Sequence, residues 1–110
     1  MAAEEHLPTR DLVVAGARIP PETIAELCRR YGLSELWLFG SASRGAETPD
    51  SDVDLIYVLR PDAHLGWRIE RLNEELEELF GRKIDLVAKR SVHPLVRDEV
   101  LDSAKVLYAA

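Results

Sequence analysis

Gly40-Ser41-Ala42-Ser43-Arg44-Gly45-Ala46-Glu47-Thr48-Pro49-Asp50-Ser51-Asp52-Val53-Asp54-Leu55 joins a glycine-serine turn to two carboxylates that open an apolar run, Leu55-Ile56-Tyr57-Val58-Leu59. The run predicts a β-strand that begins with Asp52 and Asp54. Alternation along a strand puts residues two apart on one face, roughly 6.5 to 7 Å apart at Cα. Two carboxylates so placed can converge on one or two divalent cations, which are hard ions that take oxygen ligands. The turn ahead of them suits a phosphate: glycine at position 40 lets backbone approach closely, and the N–H groups of a helix start would point at the anion. Ser41 adds a hydroxyl. Together these features predict a nucleoside triphosphate held with its metals between Gly40 and Asp54.

Each piece has a plainer reading when taken alone. Gly-Ser after a strand is also an ordinary turn with an N-cap, and Asp52 and Asp54 could be a polar turn leading into a strand. Asp54 counts against the second, because it stands inside an apolar run where an unpaired charge is costly. Two familiar motifs fail here. Gly40 and Gly45 have the spacing of P-loop glycines, but Ala46 and Glu47 follow where Lys and Ser or Thr are required. Asp50-Ser51-Asp52-Val53-Asp54 opens like a calcium loop, but Leu55 and Pro61 replace the required glycine and glutamate.

Outward from this stretch the elements alternate. Ile24, Leu27, Cys28 and Tyr31 recur at helical spacing, with Pro21 at the start and Gly32 as the stop, so 21–31 is a predicted helix. Glu35 to Phe39 is a short apolar run and a predicted buried strand, and a short helix is expected over Ser43 to Ala46. From Trp67 to Phe80 an apolar stripe of Ile69, Leu72, Leu76 and Leu79 runs among glutamates and predicts a second long helix, ended by Gly81. Lys83 to Ala88 alternates as a third strand carrying one carboxylate, Asp85. Pro94 to Ser103 reads as a helix and Lys105 to Tyr108 as a last strand. Residues 1–10 read as a frayed terminus, and 11–19 fit either an extended arm or a strand. The fold class expected is α/β (α+β), a short mixed sheet flanked by helices.

Asp85 can join Asp52 and Asp54 if its strand neighbours theirs; otherwise it is an edge-strand aspartate facing solvent. Three converging carboxylates would repel one another strongly without a cation. Arg44 could neutralise phosphate charge or be a surface arginine, and Ser43 and Ser51 could bond phosphate or cap turns. His6, His64 and His93 lie in separate segments with no ligand spacing, and Cys28 reads as a small core residue.

Bulk composition narrows the partners. With 110 residues there is room for one domain and little for a separate substrate-binding one. Lys and Arg number 14 against 20 Asp and Glu, a net charge of −6, which argues against nucleic acid as the main partner. No stretch approaches the roughly 18 apolar residues of a membrane span, and the N-terminus lacks a basic, hydrophobic signal. A lone cysteine fits a reducing compartment, and the cytoplasm is the expected location.

Gly-Ser, ten residues, then Asp-x-Asp-Leu, with a later Ile-Asp-Leu-Val strand, resembles the DNA polymerase β-like nucleotidyltransferase superfamily. Within it, the short chain, Arg44-Gly45 after the Gly-Ser and Asp50-Ser51 before Asp52 look most like the minimal nucleotidyltransferases (MNT), known as antitoxins of HEPN/MNT toxin–antitoxin pairs. The resemblance covers about residues 20–108. It implies a nucleotidyltransferase domain over 20–110 and leaves the N-terminal segment 1–19 unexplained. It further implies that Gly40 and Ser41, with Arg44 and Ser51, hold the triphosphate of ATP. Asp52 and Asp54 would then ligate two Mg²⁺ ions, with Asp85 completing the site and helping to activate the incoming hydroxyl. The acceptor so implied is a tyrosine of a HEPN ribonuclease toxin, inactivated by AMP addition. Two other expectations stand beside this one: an antitoxin that works by binding alone, and transfer to a small molecule, as in larger relatives that carry a helical acceptor domain.

Overall fold

The computed structural model describes residues 6–14, 17–39, 52–92 and 104–110. Strands β1 (Leu12–Val14) and β2 (Ala17–Ile19) pair antiparallel as a small hairpin. Helix α1 (Pro21–Tyr31) follows, then β3 (Leu33–Phe39), β4 (Val53–Leu59), α2 (Arg68–Phe80), β5 (Ile84–Ala88), a 3₁₀ turn over Lys89–Ser91, and β6 (Lys105–Ala109). The four longer strands form one sheet in the order β5-β4-β3-β6. β3 is antiparallel to both β4 and β6, whereas β4 and β5 run parallel. Helix α2 is the crossover that a parallel pair needs. The expected mixed sheet flanked by helices is therefore present.

One face of the sheet carries the core. Leu36 and Leu38 of β3, Val53, Leu55 and Tyr57 of β4, and Leu107 and Tyr108 of β6 join a single buried cluster with both helices and the hairpin. α1 contributes Ile24, Ala25, Leu27, Cys28 and Tyr31, and α2 contributes Leu72, Leu76 and Phe80. Cys28 is a buried core thiol, as its position on the apolar stripe required. Within the segment 11–19, residues 12–14 and 17–19 pair as strands because Leu12, Val14 and Ile19 have apolar surface to bury against this cluster, while Val13 is exposed.

Three expectations are corrected. β3 begins at Leu33, two residues early, since Leu33 is fully buried and pairs with Leu59. β4 begins at Val53, so Asp52 stands just ahead of the strand, exposed, rather than inside it. The N-terminal tract is not wholly frayed: His6 pairs with Ala109 through two backbone hydrogen bonds of 2.6 and 3.0 Å, which satisfies part of the outer edge of β6. The helices expected over 43–46 and 94–103 lie outside the described residues.

A polar brace ties α1 to α2. The Tyr31 hydroxyl donates to the Glu75 carboxylate, and Arg30 donates to the other oxygen of the same group at 2.7 Å. Arg68 lies over the Tyr31 ring, 5.0 Å from its centroid, and donates to the Arg30 carbonyl oxygen at 2.8 Å. The hydrogen bond from Tyr31, helped by Arg30, holds the Glu75 carboxyl below its ordinary range. Burial, and then the neighbouring Glu75 carboxylate, push the Tyr31 phenol up. A carboxyl whose folded pKa is depressed adds stability above its unfolded pKa and loses it as pH falls through the folded value. Glu75→Gln is therefore expected to lower stability at neutral pH, with the difference from wild type shrinking on acidification; urea melts across pH 3 to 7 would check this.

Gly32 ends α1 in the left-handed conformation at φ 74°, its N–H directed at the Arg29 and Cys28 carbonyls. Its own carbonyl accepts from the Arg60 amide at 2.8 Å, and a Cβ here would sit 2.8 Å from the Cβ of Ala63. Gly32→Ala is expected to cost at least about 1–2 kcal/mol from the left-handed backbone alone. The contact with Ala63 adds to that cost, and a denaturant titration would read the sum.

Candidate functional site

The parallel pairing of β4 with β5 sets Asp54 opposite Asp85 in register, the outcome on which Asp85 joining the site depended. Each is the second residue of its strand, after Val53 and Ile84. Those two flanking residues are buried and anchor the strand starts in the core. Alternation then turns Asp54 and Asp85 to the face of the sheet away from the helices. Across β3, Asp54 pairs with Phe39, the residue immediately before Gly40. The end of β3 and the starts of β4 and β5 thus meet at one end of the sheet. Asp54 is half-buried, whereas Asp52 and Asp85 are exposed.

Charge is concentrated there. Burial raises the Asp54 carboxyl above its ordinary range, and the negative charges of Asp85 and Asp52 raise it further. A hydrogen bond that the Asp54 and Asp85 carboxyls can share once one is protonated acts in the same direction. Asp52, although outside the strand, is therefore close enough to act on Asp54. Among the described residues no group of three or more His, Cys, Asp or Glu side chains is drawn tightly enough to hold a metal ion unaided. The donor chemistry nevertheless suits a hard cation. The groups are all carboxylate oxygens, and a cation beside Asp54 would remove the like-charge cost that now raises its pKa.

A groove of about 470 Å³ runs from Asp85 between the outer edge of β5 and α2, lined also by Ile84, Leu86, Ile69, Glu70, Asn73 and Glu74. A larger pocket, which meets this groove at Ile69, opens toward the opposite ends of β4 and β5. Gly40, Ser41, Arg44 and Ser51 lie outside the described residues, so the structure brings together the carboxylate half of the expected constellation. The sequence reading left the β4–β5 adjacency open. The strand-helix-strand order of 53–88 held the signal for it, since a helical crossover of that length joins parallel strands. Glu70 and Glu74 of α2 line the same groove as Asp85.

Removing the charge of Asp54 tests this electrostatic picture without any ligand. A carboxyl whose folded pKa is raised costs the folded state stability above its unfolded pKa, and the cost vanishes when the group is protonated. Asp54→Asn is therefore expected to melt at a higher temperature than wild type in metal-free buffer at neutral pH. The gain should fade as pH drops through the carboxylate range, which thermal melts at stepped pH would show.

Comparison with known proteins agrees with this geometry. Residues 21–107 match the family described as nucleotidyltransferase domain. The protein adenylyltransferase MntA of Thermococcus cleftensis is 41% identical over 76 residues, covering 69% of this chain and 76% of that protein. A toxin–antitoxin crystal structure with AMP-PNP superposes with a TM-score of 0.66 at 26% identity, over 84% of this chain and 75% of that one. A tri-AMPylated HEPN toxin of Shewanella oneidensis in complex with MNT antitoxin matches with a TM-score of 0.57 at 25% identity, over 82% of this chain and 70% of the matched chain.

Proposed function

The chain belongs to the nucleotidyltransferase family in its minimal, MNT-type form, and from that premise we propose that it transfers AMP from ATP to a tyrosine hydroxyl of a HEPN-type toxin and thereby neutralises it. The observation that carries this reading is the register of Asp54 against Asp85 at the end of the sheet where β3 leads into Gly40. The relatives add the substrate classes: one is named a protein adenylyltransferase, one complex contains AMP-PNP, and another contains a tri-AMPylated toxin.

In the proposed reaction the acceptor oxygen forms a bond to the α-phosphorus of ATP as the bond from that phosphorus to the β-bridging oxygen breaks. Pyrophosphate leaves, and the hydroxyl proton passes to a carboxylate or to water. Asp52, Asp54 and Asp85 would hold Mg²⁺, which when bound offsets charge on the phosphates and on the attacking oxygen. Asp85, exposed at the head of the edge strand β5 and beside the groove, is the carboxylate best placed to meet an incoming hydroxyl. Asp54, half-buried and fixed in mid-sheet between Phe39 and Asp85, positions the others. Gly40 and Ser41, with Arg44 and Ser51, are assigned to the triphosphate. The buried strand starts keep this carboxylate array from collapsing, so its repulsion is available to a cation rather than dissipated by rearrangement.

The test is to incubate the purified chain with a HEPN-type toxin from the same organism, ATP and Mg²⁺, and to weigh both proteins intact. Whole AMP units are expected on the toxin, located on tyrosine by fragmentation. They should be absent with Asp54→Asn, with Asp85→Asn, or with excess EDTA. Mg²⁺ should also raise the melting temperature of wild type but not of Asp54→Asn. Full transfer by Asp54→Asn would refute the carboxylate assignment. A stable complex that suppresses toxicity without any mass gain would leave an antitoxin acting by contact alone.

A further inference from the structure

The larger pocket, about 850 Å³, opens where β4 and β5 end rather than where they begin. From Asp54 to Tyr57, the first lining residue on the strand, is about 10 Å at roughly 3.3 Å per residue, and the pocket extends from there away from Asp54. Its apolar wall includes Tyr57, Leu65 and Ile69, and its cations are Arg60, Lys89 and Arg90. No aspartate or glutamate stands among its described lining, although the chain as a whole carries a net charge of −6. Arg60 and Arg90 are exposed, and none of the three cations forms an ion pair among the described residues. Next to Gly66 on the pocket wall stands Trp67, 91% exposed, the largest apolar side chain left to solvent in the described structure.

We propose that this pocket and Trp67 together form the docking surface for an acidic segment of the partner protein. The proposal rests on the reading of the chain as a toxin-directed transferase. Charge complementarity sets the sign of the occupant: cations with no ion pair among the described residues, set around an apolar floor, favour carboxylates carried on an apolar backbone segment. The position of Trp67 sets its size. Trp67 lies outside the pocket lining, and a ligand that only filled the pocket would leave it in water; a protein surface laid across the pocket covers both. Tryptophan, tyrosine and arginine are also the side chains that dominate binding energy at protein interfaces. Docking at this end leaves the Asp54–Asp85 end free, so one partner can be held by its body while a separate segment presents its hydroxyl for transfer.

The test uses the full chain and its toxin, with Trp67→Ala and the double variant Arg60→Glu/Arg90→Glu beside Asp54→Asn. Trp67, Arg60 and Arg90 are exposed, and unchanged circular dichroism and melting temperature in the two surface variants would show that their fold is kept. Titration calorimetry is expected to show the toxin bound at least tenfold more weakly by both surface variants. The toxin concentration giving half-maximal AMP transfer should rise in step, with the rate at saturating toxin unchanged. Added salt should weaken the wild-type complex more than the double variant. Asp54→Asn should show the opposite pattern, a normal complex and no transfer.

The two readings fail separately. A complex that forms and weakens in the surface variants, with no transfer by any chain, would overturn the chemistry and keep the docking site. Normal transfer with unchanged affinity in both surface variants would overturn the docking site and keep the chemistry. Displacement of the toxin by inorganic phosphate at low millimolar concentration, reversed in the double variant, would mark a small-anion site instead. A wild-type self-association in sedimentation that the double variant loses, with toxin affinity unaltered, would mark a contact between copies of this chain. Either result overturns the proposal.

Discussion

The parallel pairing of β4 with β5 is the constraint from which the rest of the site follows. Two carboxylates that repel each other are held in register because the residues beside them, Val53 and Ile84, are buried in the core. Burial of those anchors and the backbone ladder oppose the repulsion between Asp54 and Asp85, which raises an Asp54 carboxyl already raised by its own burial. A site that costs stability when empty is one that a cation or proton can relieve. This is why the polar end of the sheet reads as chemistry rather than as surface.

Helix α2 makes that register possible and does further work. As the crossover between parallel strands it returns the chain to the same end of the sheet, so that β5 starts where β4 starts. Its buried stripe of Leu72, Leu76 and Phe80 fixes its rotation, which sends Glu70 and Glu74 toward the groove beside Asp85 and Glu75 toward α1. The brace of Tyr31, Arg30, Glu75 and Arg68 then joins the two helices on the side away from the sheet's polar end. Stability and chemistry are thereby assigned to different parts of one small domain, and the cationic pocket at the far ends of β4 and β5 is a third region with its own electrostatic character.

Much of this was legible from residue patterns because the deciding forces are local. Helix α1 ran from Pro21 to Tyr31 as expected, since its apolar spacing, initial proline and terminal Gly32 all act within a turn or two. Apolar runs likewise announced β3, β4 and β5, and the like-charge logic of Asp52, Asp54 and Asp85 was visible in their placement among apolar neighbours. Strand limits were less legible: Leu33 joins β3 because it pairs with Leu59, and Asp52 stays outside β4, and both outcomes depend on partners distant in the chain. The segment 11–19 was undecidable because three-residue strands carry too little pattern, and its hairpin exists only against the core it helps to cover.

Composition and spacing alone thus settled that two long helices and at least three strands would form, and that Cys28 would be buried. Which strands lie side by side was a matter of three-dimensional packing, because a strand's edge hydrogen bonds are indifferent to sequence until two hydrophobic faces must close on one core. That closure put Asp85 beside Asp54, tied His6 to β6, and gathered Arg60, Lys89 and Arg90 around one pocket from segments about thirty residues apart. No periodicity in the chain could have announced such a gathering, since charge seen along a sequence does not tell which charges will share a surface.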